Sequence, residues 1–451
     1  MDPDPLPGYT GKTRSLLEKN GVKVGDRIRI RKGNLVYEGI LMPREKLYDR
    51  PIIVLKLDNG YNIGIKVTDD IVLERIGELG IEYKPTLREV VERKDLPRVH
   101  ITSTGGTIAS RVDYETGAVK PALTSRDLAS LIPEIFDIAN IDTGVLFNIF
   151  SEDLQPKDWE KIVDEVRRLV EKGYDGIVLT HGTDTMYYTS AALSFALRKL
   201  PVPVVLVGSQ RSSDRPSSDA AFNLISATLV AARAPFAEVV IVMHGETGDS
   251  YALAHRGTKV RKMHTSRRDA FQTINDIPLA KIYPYEKKII MLTNNYRKRG
   301  EDKEIVVENG FDPKVALVKF YPSIAPDIID YYVDKGYHGI VLEGTGLGHF
   351  PNRLVKSIRR AIEEGIIVVM TSQCLFGRVN MHVYSTGRVY LEAGVIPGED
   401  MLPEVAYVKL SWILARTRDP KEVRKLMLTN IAGEINPRHT VNLYPRWHHG
   451  E

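Results

Sequence analysis

The chain has 451 residues, 43% of them apolar and 27% charged, with a net charge of +4. That length exceeds what a single core sustains, so two or three domains of a soluble globular protein are expected. One cysteine, Cys374, excludes an internal disulfide framework, and the small net charge argues neither for nor against nucleic acid.

The first residues, "MDPDPLPGYTGKT", carry no basic-plus-apolar leader, and no apolar run reaches the length of a membrane span, so a cytoplasmic protein is expected. Residues 24–76 read as short strands. In "RIRIRK", Ile28 and Ile30 alternate with Arg27, Arg29 and Arg31, the period of a half-buried strand. "DNG" at 58–60 is a hairpin turn, since Asn and Gly tolerate positive φ. A small all-β barrel is the expectation. Its arginines either touch RNA phosphates or solvate an outer face, and the second is the commoner use of such a strand. A polar bridge, "ELGIEYKPTLREVVERKDLP", follows.

From about residue 97 apolar runs ("HITSTGG", "YDGIVLTHG", "VPVVLVGSQ", "EVVIVMHGE") alternate with helical patterns. "PKDWEKIVDEVRRLVEKG" places Trp159, Ile162, Val163, Val166, Leu169 and Val170 on one face and stops at Gly173. "TMYYTSAALSFALRKL" and "DAAFNLISATLVAARAPF" are read as helices in the same way. Strands alternating with helices imply a parallel sheet, whose ligands bind beyond the carboxyl ends of the strands. After a broken stretch at 276–312, "VALVKFYPS", "GIVLEGTGLG" and "GIIVVMTSQC" predict a second α/β unit. Two helical patterns and a polar tail close the chain.

Several chemistries are not indicated. There is no G-x-G-x-x-G, no phosphate loop, no His-Glu-x-x-His and no paired-cysteine pattern, so neither cofactor nor metal is expected in this chain. Two strand ends remain. "STGGTIAS" (103–110) puts Gly105 and Gly106 before Thr107, whose hydroxyl becomes a nucleophile only if a base takes its proton. "LTHGTDTM" (180–187) holds His181, Thr183 and Asp184; taken alone, its threonine and aspartate most often cap a helix.

The ordered pair "ITSTGGTIAS" and "GIVLTHGTDTM" resembles the two signature segments of the L-asparaginase/glutaminase family. The likeness continues through "VGSQRSSD", "RGTKVRKMH", "GIVLEGTGLGHFPN" and "VVMTSQCLFGRVNMHVYSTG", spanning roughly 97–420. The resemblance implies a two-domain parallel-sheet α/β core. It makes Thr107 the nucleophile on a side-chain amide, with Thr183, Asp184 and Lys262 as a Thr-Lys-Asp group. A lysine withdrawn from water can act as a base, and Asp184 would orient it. Backbone N–H groups around Gly106 or Gly182 would hold the oxyanion. "FNIFSEDLQPKDW" resembles the segment that grips the amino-acid head, which implicates Ser151 and Glu152. His181 is expected to be structural. The family's loop tyrosine is displaced here: Ala118 stands near its place and Tyr114 a few residues earlier. Tyr114 is then the expected substitute, on a loop at 111–120 that completes the site when it closes.

Nearly a hundred residues precede the first signature. A barrel, a linker and an asparaginase-like core in that order resemble the D-type subunits of archaeal glutamyl-tRNA(Gln) amidotransferases. That likeness implies hydrolysis of L-glutamine, with ammonia passed to a partner, the E-type amidotransferase subunit, which performs the ATP-dependent amidation of Glu-tRNA(Gln). It also implies a homodimer within a heterotetramer and no membrane attachment. Two other readings are a stand-alone L-asparaginase and an inactive asparaginase-like scaffold that binds RNA through Arg27–Lys32. The expected division is a β-barrel at 1–76, a linker at 77–96, an α/β domain with the threonines at 97–275, an interdomain linker at 276–312, a second α/β domain at 313–420, and a helix and tail at 421–451.

Overall fold

The computed structural model describes residues 4–44, 50–57, 62–77, 93–106, 110–112, 119–121, 132–211 and 218–444. The N-terminal part is a five-stranded antiparallel sheet in the order Asn62–Lys66, Ile52–Lys56, Leu35–Leu41, Arg27–Lys32, Ile71–Gly77. Alternation does here what the sequence predicts. Ile28 and Ile30 are fully buried with Tyr9, Leu17, Leu41, Ile53 and Leu55, while the arginines face outward. Arg29 lies between its two cross-strand neighbours and pairs with both, Glu38 at 2.5 Å and Glu74 at 3.3 Å. The middle of the basic strand is therefore neutralised by its own sheet, which favours the solvated-face reading. A helix at Gly11–Lys19, not expected from the texture, buries Leu17 in this core. The "DNG" turn at 58–60 and most of the linker lie outside the described residues.

The first α/β unit is built on an eight-stranded sheet. Asn140–Val145, Arg98–Ser103, Gly176–Thr180, Val204–Val207 and Val239–His244 run parallel, the order Asn140, Arg98, Gly176, Val204, Val239 being also their order across the sheet. Ala252–Arg256, Ala280–Tyr283 and Lys288–Met291 continue it antiparallel. Helix Pro156–Glu171 opens on a reciprocal Gln155–Asp158 capping box. It buries Trp159, Ile162, Val163, Val166 and Leu169, each contributing roughly 1.5–3 kcal/mol of transfer free energy. Helices Met186–Ala196 and Ala220–Arg233 are apolar nearly all round because they lie between layers.

Three boundaries differ from expectation. The second helix ends at Ala196, and Leu197–Lys199 instead pairs as a strand with Val306–Val307. The stretch 276–312 is more than a linker: Ala280–Tyr283 and Lys288–Met291 complete the first sheet, so that unit runs on through Met291. Both strands are short, lysine-bearing and near an edge, where sequence alternation is weakest. The tail after helix Pro420–Leu428 is also structural, for Glu434 is wholly buried and Asn436 donates its backbone N–H to Asp400.

The second unit has four parallel strands in chain order, Val315–Lys319, Gly339–Gly344, Ile367–Ser372 and Ile396–Pro397. Its helix Pro403–Leu414 packs on that sheet and on Met186–Ala196 of the first unit. Phe195 stacks on Trp412 across this junction, with centroids 6.1 Å apart. One apolar core thus crosses both units. Among the described residues no helix is long and apolar enough to cross a membrane.

Candidate active site

Three adjacent parallel strands, Arg98–Ser103, Gly176–Thr180 and Val204–Val207, bring their carboxyl ends to one edge. The loops that leave them are sewn together at once. Thr104 donates both its N–H (3.0 Å) and its hydroxyl (2.8 Å) to Thr180 O, and the His181 N–H bonds to Val207 O at 2.9 Å. Gly106 has φ +88°, and a Cβ there would fall 2.2 Å from Gly182 N. A Cβ on Gly182 would in turn lie 2.6 Å from Ser151 Cβ. Only glycine permits this three-way approach, which sets the two signature loops and the 147–152 segment in contact.

Thr183 and Asp184 follow, just before helix Met186–Ala196. Thr183 is buried and Asp184 projects outward, 68% exposed. Lys262 reaches them from a separate hairpin, Val260–Lys262 against Phe271–Thr273. Its Nζ donates to Thr183 Oγ1 at 2.9 Å and to Asp184 Oδ1 at 2.8 Å, with 9% of the side chain exposed. Residues 78 and 79 positions apart thus meet at one nitrogen. Because Lys262 Nζ donates here, Thr183 Oγ1 accepts and keeps its own proton for a further acceptor. The unit can pass a proton between a hydroxyl and an amine.

His181 is not available for that exchange. It is enclosed, and burial holds its pKa down at about 4. In the neutral ring Nδ1 must carry the proton, because its 2.7 Å partner is the Gly182 carbonyl. Nε2 then accepts from Thr189 Oγ1 at 2.9 Å. The ring ties the loop to the helix after it, a structural use.

Ser151 is buried against Gly182, and its carbonyl accepts the Thr185 hydroxyl at 2.6 Å. Its own hydroxyl reaches Glu152 Oε2 at 3.4 Å, and Glu152 is exposed. Thr107 and Tyr114 lie outside the described residues, as does Ala118. The sequence reading overlooked Asp219 and Asn223. Asp219 accepts the Gln210 and Arg211 N–H groups, and Asn223 Nδ2 donates to Gly208 O, which holds the loop beside Thr183. The signal was present, an aspartate at the N-cap position of a helix after a strand-end loop, but it reads as an ordinary cap, whereas its side chain makes no cap hydrogen bond. Among the described residues no cluster of metal-ligating side chains occurs.

The chain matches the family models described as "Asparaginase, N-terminal" over 98–296, "Glutaminase/Asparaginase C-terminal domain" over 314–427 and "GatD N-terminal domain" over 22–74. It is 58% identical over 437 residues to a Pyrococcus furiosus protein named as the D-type subunit of glutamyl-tRNA(Gln) amidotransferase, covering 94% of this chain and 98% of that one. A Sulfolobus acidocaldarius protein of the same name is 52% identical, with 98% of each chain covered. Among solved structures, the thermostable L-asparaginase of Thermococcus kodakarensis superposes with a TM-score of 0.68 at 36% identity, over 76% of this chain and 100% of that one. L-asparaginase I of Vibrio cholerae gives 0.66 at 30% identity, over 76% and 99%.

Proposed function

The chain belongs to the family of D-type glutamyl-tRNA(Gln) amidotransferase subunits, and from that premise we propose that its first α/β unit hydrolyses L-glutamine and releases ammonia to a partner. The partner is the E-type subunit that amidates Glu-tRNA(Gln). The observation that carries this reading is Lys262 Nζ shared between Thr183 and Asp184 at 2.9 and 2.8 Å. In the proposed reaction the Thr107 hydroxyl attacks the side-chain amide carbonyl. Its proton passes to the Thr183–Lys262 group, in which Lys262 serves as the neutral amine, and on to the amide nitrogen. The C–N bond breaks and ammonia leaves. Water then cleaves the acyl-threonine ester, releasing glutamate and restoring the hydroxyl. Backbone N–H groups at the Gly106–Gly182 contact are suited to stabilise the oxyanion. Ser151 and Glu152 are assigned to the amino-acid head.

The N-terminal sheet favours the amidotransferase component over a stand-alone asparaginase, because it matches the "GatD N-terminal domain" model. An inactive scaffold is disfavoured by the assembled Thr183–Asp184–Lys262 group. The test is a glutaminase assay on the full chain, alone and with its partner and charged tRNA, repeated with Thr107→Ala. The wild type should hydrolyse glutamine faster in the complex than alone, and Thr107→Ala should be inactive in both. A lone chain that hydrolyses asparagine at full speed, unmoved by partner and tRNA, would identify a stand-alone asparaginase.

A further inference from the structure

The hairpin that carries Lys262 is a weak platform. It consists of two three-residue strands that form their own two-stranded sheet, outside the eight-stranded one. An isolated ladder that short is marginal in water. Yet it must hold a flexible lysine head at hydrogen-bond distance from two oxygens at once. Val260 and Phe271, both fully buried, anchor the hairpin in the main core, and the polar side chains of the same strand are left to fix where its Lys262 end lies.

Successive side chains of a strand point to opposite faces. Lys262 faces the catalytic loop. Lys259 and Arg261 face the second α/β unit, and both are met there by carboxylates. Lys259 Nζ donates to Asp400 Oδ2 at 2.6 Å, with the two side chains 1% and 0% exposed. Arg261 Nη1 reaches Glu404 Oε2 at 3.3 Å. Asp400 is held by the Asn436 N–H, and Glu404 lies in the first turn of helix Pro403–Leu414. Glu404 is 2% exposed, and its other oxygen, Oε1, has no hydrogen-bond partner among the described residues. A carboxylate kept in such surroundings for packing alone is costly, since an apolar residue of similar shape would serve as well.

We propose that Glu404 is a positioning residue for the amide-hydrolysing site: through Arg261 it sets the place of the Val260–Lys262 strand at which Lys262 spans Thr183 and Asp184. The inference rests on the glutaminase reading given above. It gives the second α/β unit of the same chain a part in positioning the chemistry of the first. A displacement of about 1 Å in a reacting group can cost on the order of a hundredfold, so a hairpin that drifts by less is enough to matter.

The experiment measures kcat and KM for glutamine and the unfolding midpoint for Glu404→Gln in the full chain, in its active complex. The amide keeps the shape and drops the charge that holds Arg261. Expected is a fall in kcat of about ten- to a hundredfold, KM within about twofold, and an intermediate kcat for Arg261→Lys, which keeps the charge but loses the planar fork. In the double variant with Lys262→Met, Glu404→Gln should cause no further loss, because there is no longer a lysine to misplace. Unchanged kcat in Glu404→Gln overturns the proposal. So does a lowered unfolding midpoint with normal turnover of the folded protein, which would make the pair simple inter-unit glue. If Glu404→Gln reduces the yield of folded protein, Arg261→Lys carries the same kcat-against-KM test. Full turnover in Lys262→Met alone would instead overturn the glutaminase site itself, and this inference with it.

Discussion

At the carboxyl end of Gly176–Thr180, in the first α/β unit, polar side chains from distant parts of the chain meet one another: Lys262 with Thr183 and Asp184. At the corresponding end of Gly339–Gly344, in the second unit, they are absorbed by nearby backbone. Ser372 Oγ donates to Gly346 O at 2.7 Å, Thr371 Oγ1 to Leu342 O at 2.9 Å, and Gln373 Nε2 to Phe320 O at 2.5 Å. The Lys319–Glu343 ion pair at those strand ends has its lysine largely in water. Both units follow the same layered plan. The plan offers a rim of loops in each case, and the two rims differ in that the first gathers a hydroxyl, a carboxylate and a lysine with 9% of its side chain exposed, whereas the lysine of the second lies largely in water. The second unit places its buried charges elsewhere, at the junction, where Asp400, Glu404, Lys409 and Glu434 sit out of water.

The largest expected effect separates stability from chemistry. Lys409 and Glu434 pair at 2.5 Å with neither side chain exposed, and Lys409 also donates to the Met427 and Thr429 carbonyls. Lys409→Met should cost about 3–5 kcal/mol in denaturant unfolding, because a buried carboxylate loses its counter-ion. Adding Glu434→Gln should recover much of the loss, and the folded fraction should turn over glutamine normally. A specific loss of kcat in that fraction would mean that the second unit's core is part of the site.

A second effect belongs to two buried histidines of the first unit. Burial lowers the His181 pKa to about 4 and the His255 pKa to about 3, from an ordinary value of 6.5. Between pH 6.5 and about 4 the unfolded chain binds protons that the folded rings refuse, so stability falls as pH falls through that window. The contribution of His181 is about 3 kcal/mol when the window has been crossed. Unfolding measured from about pH 7 to about pH 4 should show the loss, and His255→Leu should flatten the slope. An identical slope in that variant would place the acid sensitivity elsewhere.

Much of this was legible in the sequence, and for reasons that differ from residue to residue. Ile28 and Ile30 declared their burial through period-two alternation, and Trp159 to Leu169 through helical spacing. Thr183, Asp184 and Lys262 were recognisable as motif residues, although nothing in letters 78 positions apart says that they touch. The strands Ala280–Tyr283 and Lys288–Met291 were hidden because they are only four residues long and carry lysines among their apolar side chains. The tail failed for a related reason. "GEINPRH" is polar, yet Glu434 is buried because Lys409, far back in the chain, meets it there. Arg261 and Glu404 lie 143 positions apart, and such pairings become visible only when the two units are docked.

The central claim is that amide hydrolysis runs through the Thr183–Asp184–Lys262 group of the first unit. The most direct measurement is steady-state glutamine hydrolysis by Lys262→Met in the active complex, from about pH 6 to about pH 10, with circular dichroism to confirm the fold. The account predicts a loss in kcat of about a hundredfold or more, as for removal of a positioned proton-transfer group, with no recovery at high pH because no base is left at that position. Turnover near that of the wild type, or activity that returns as pH rises, would contradict it.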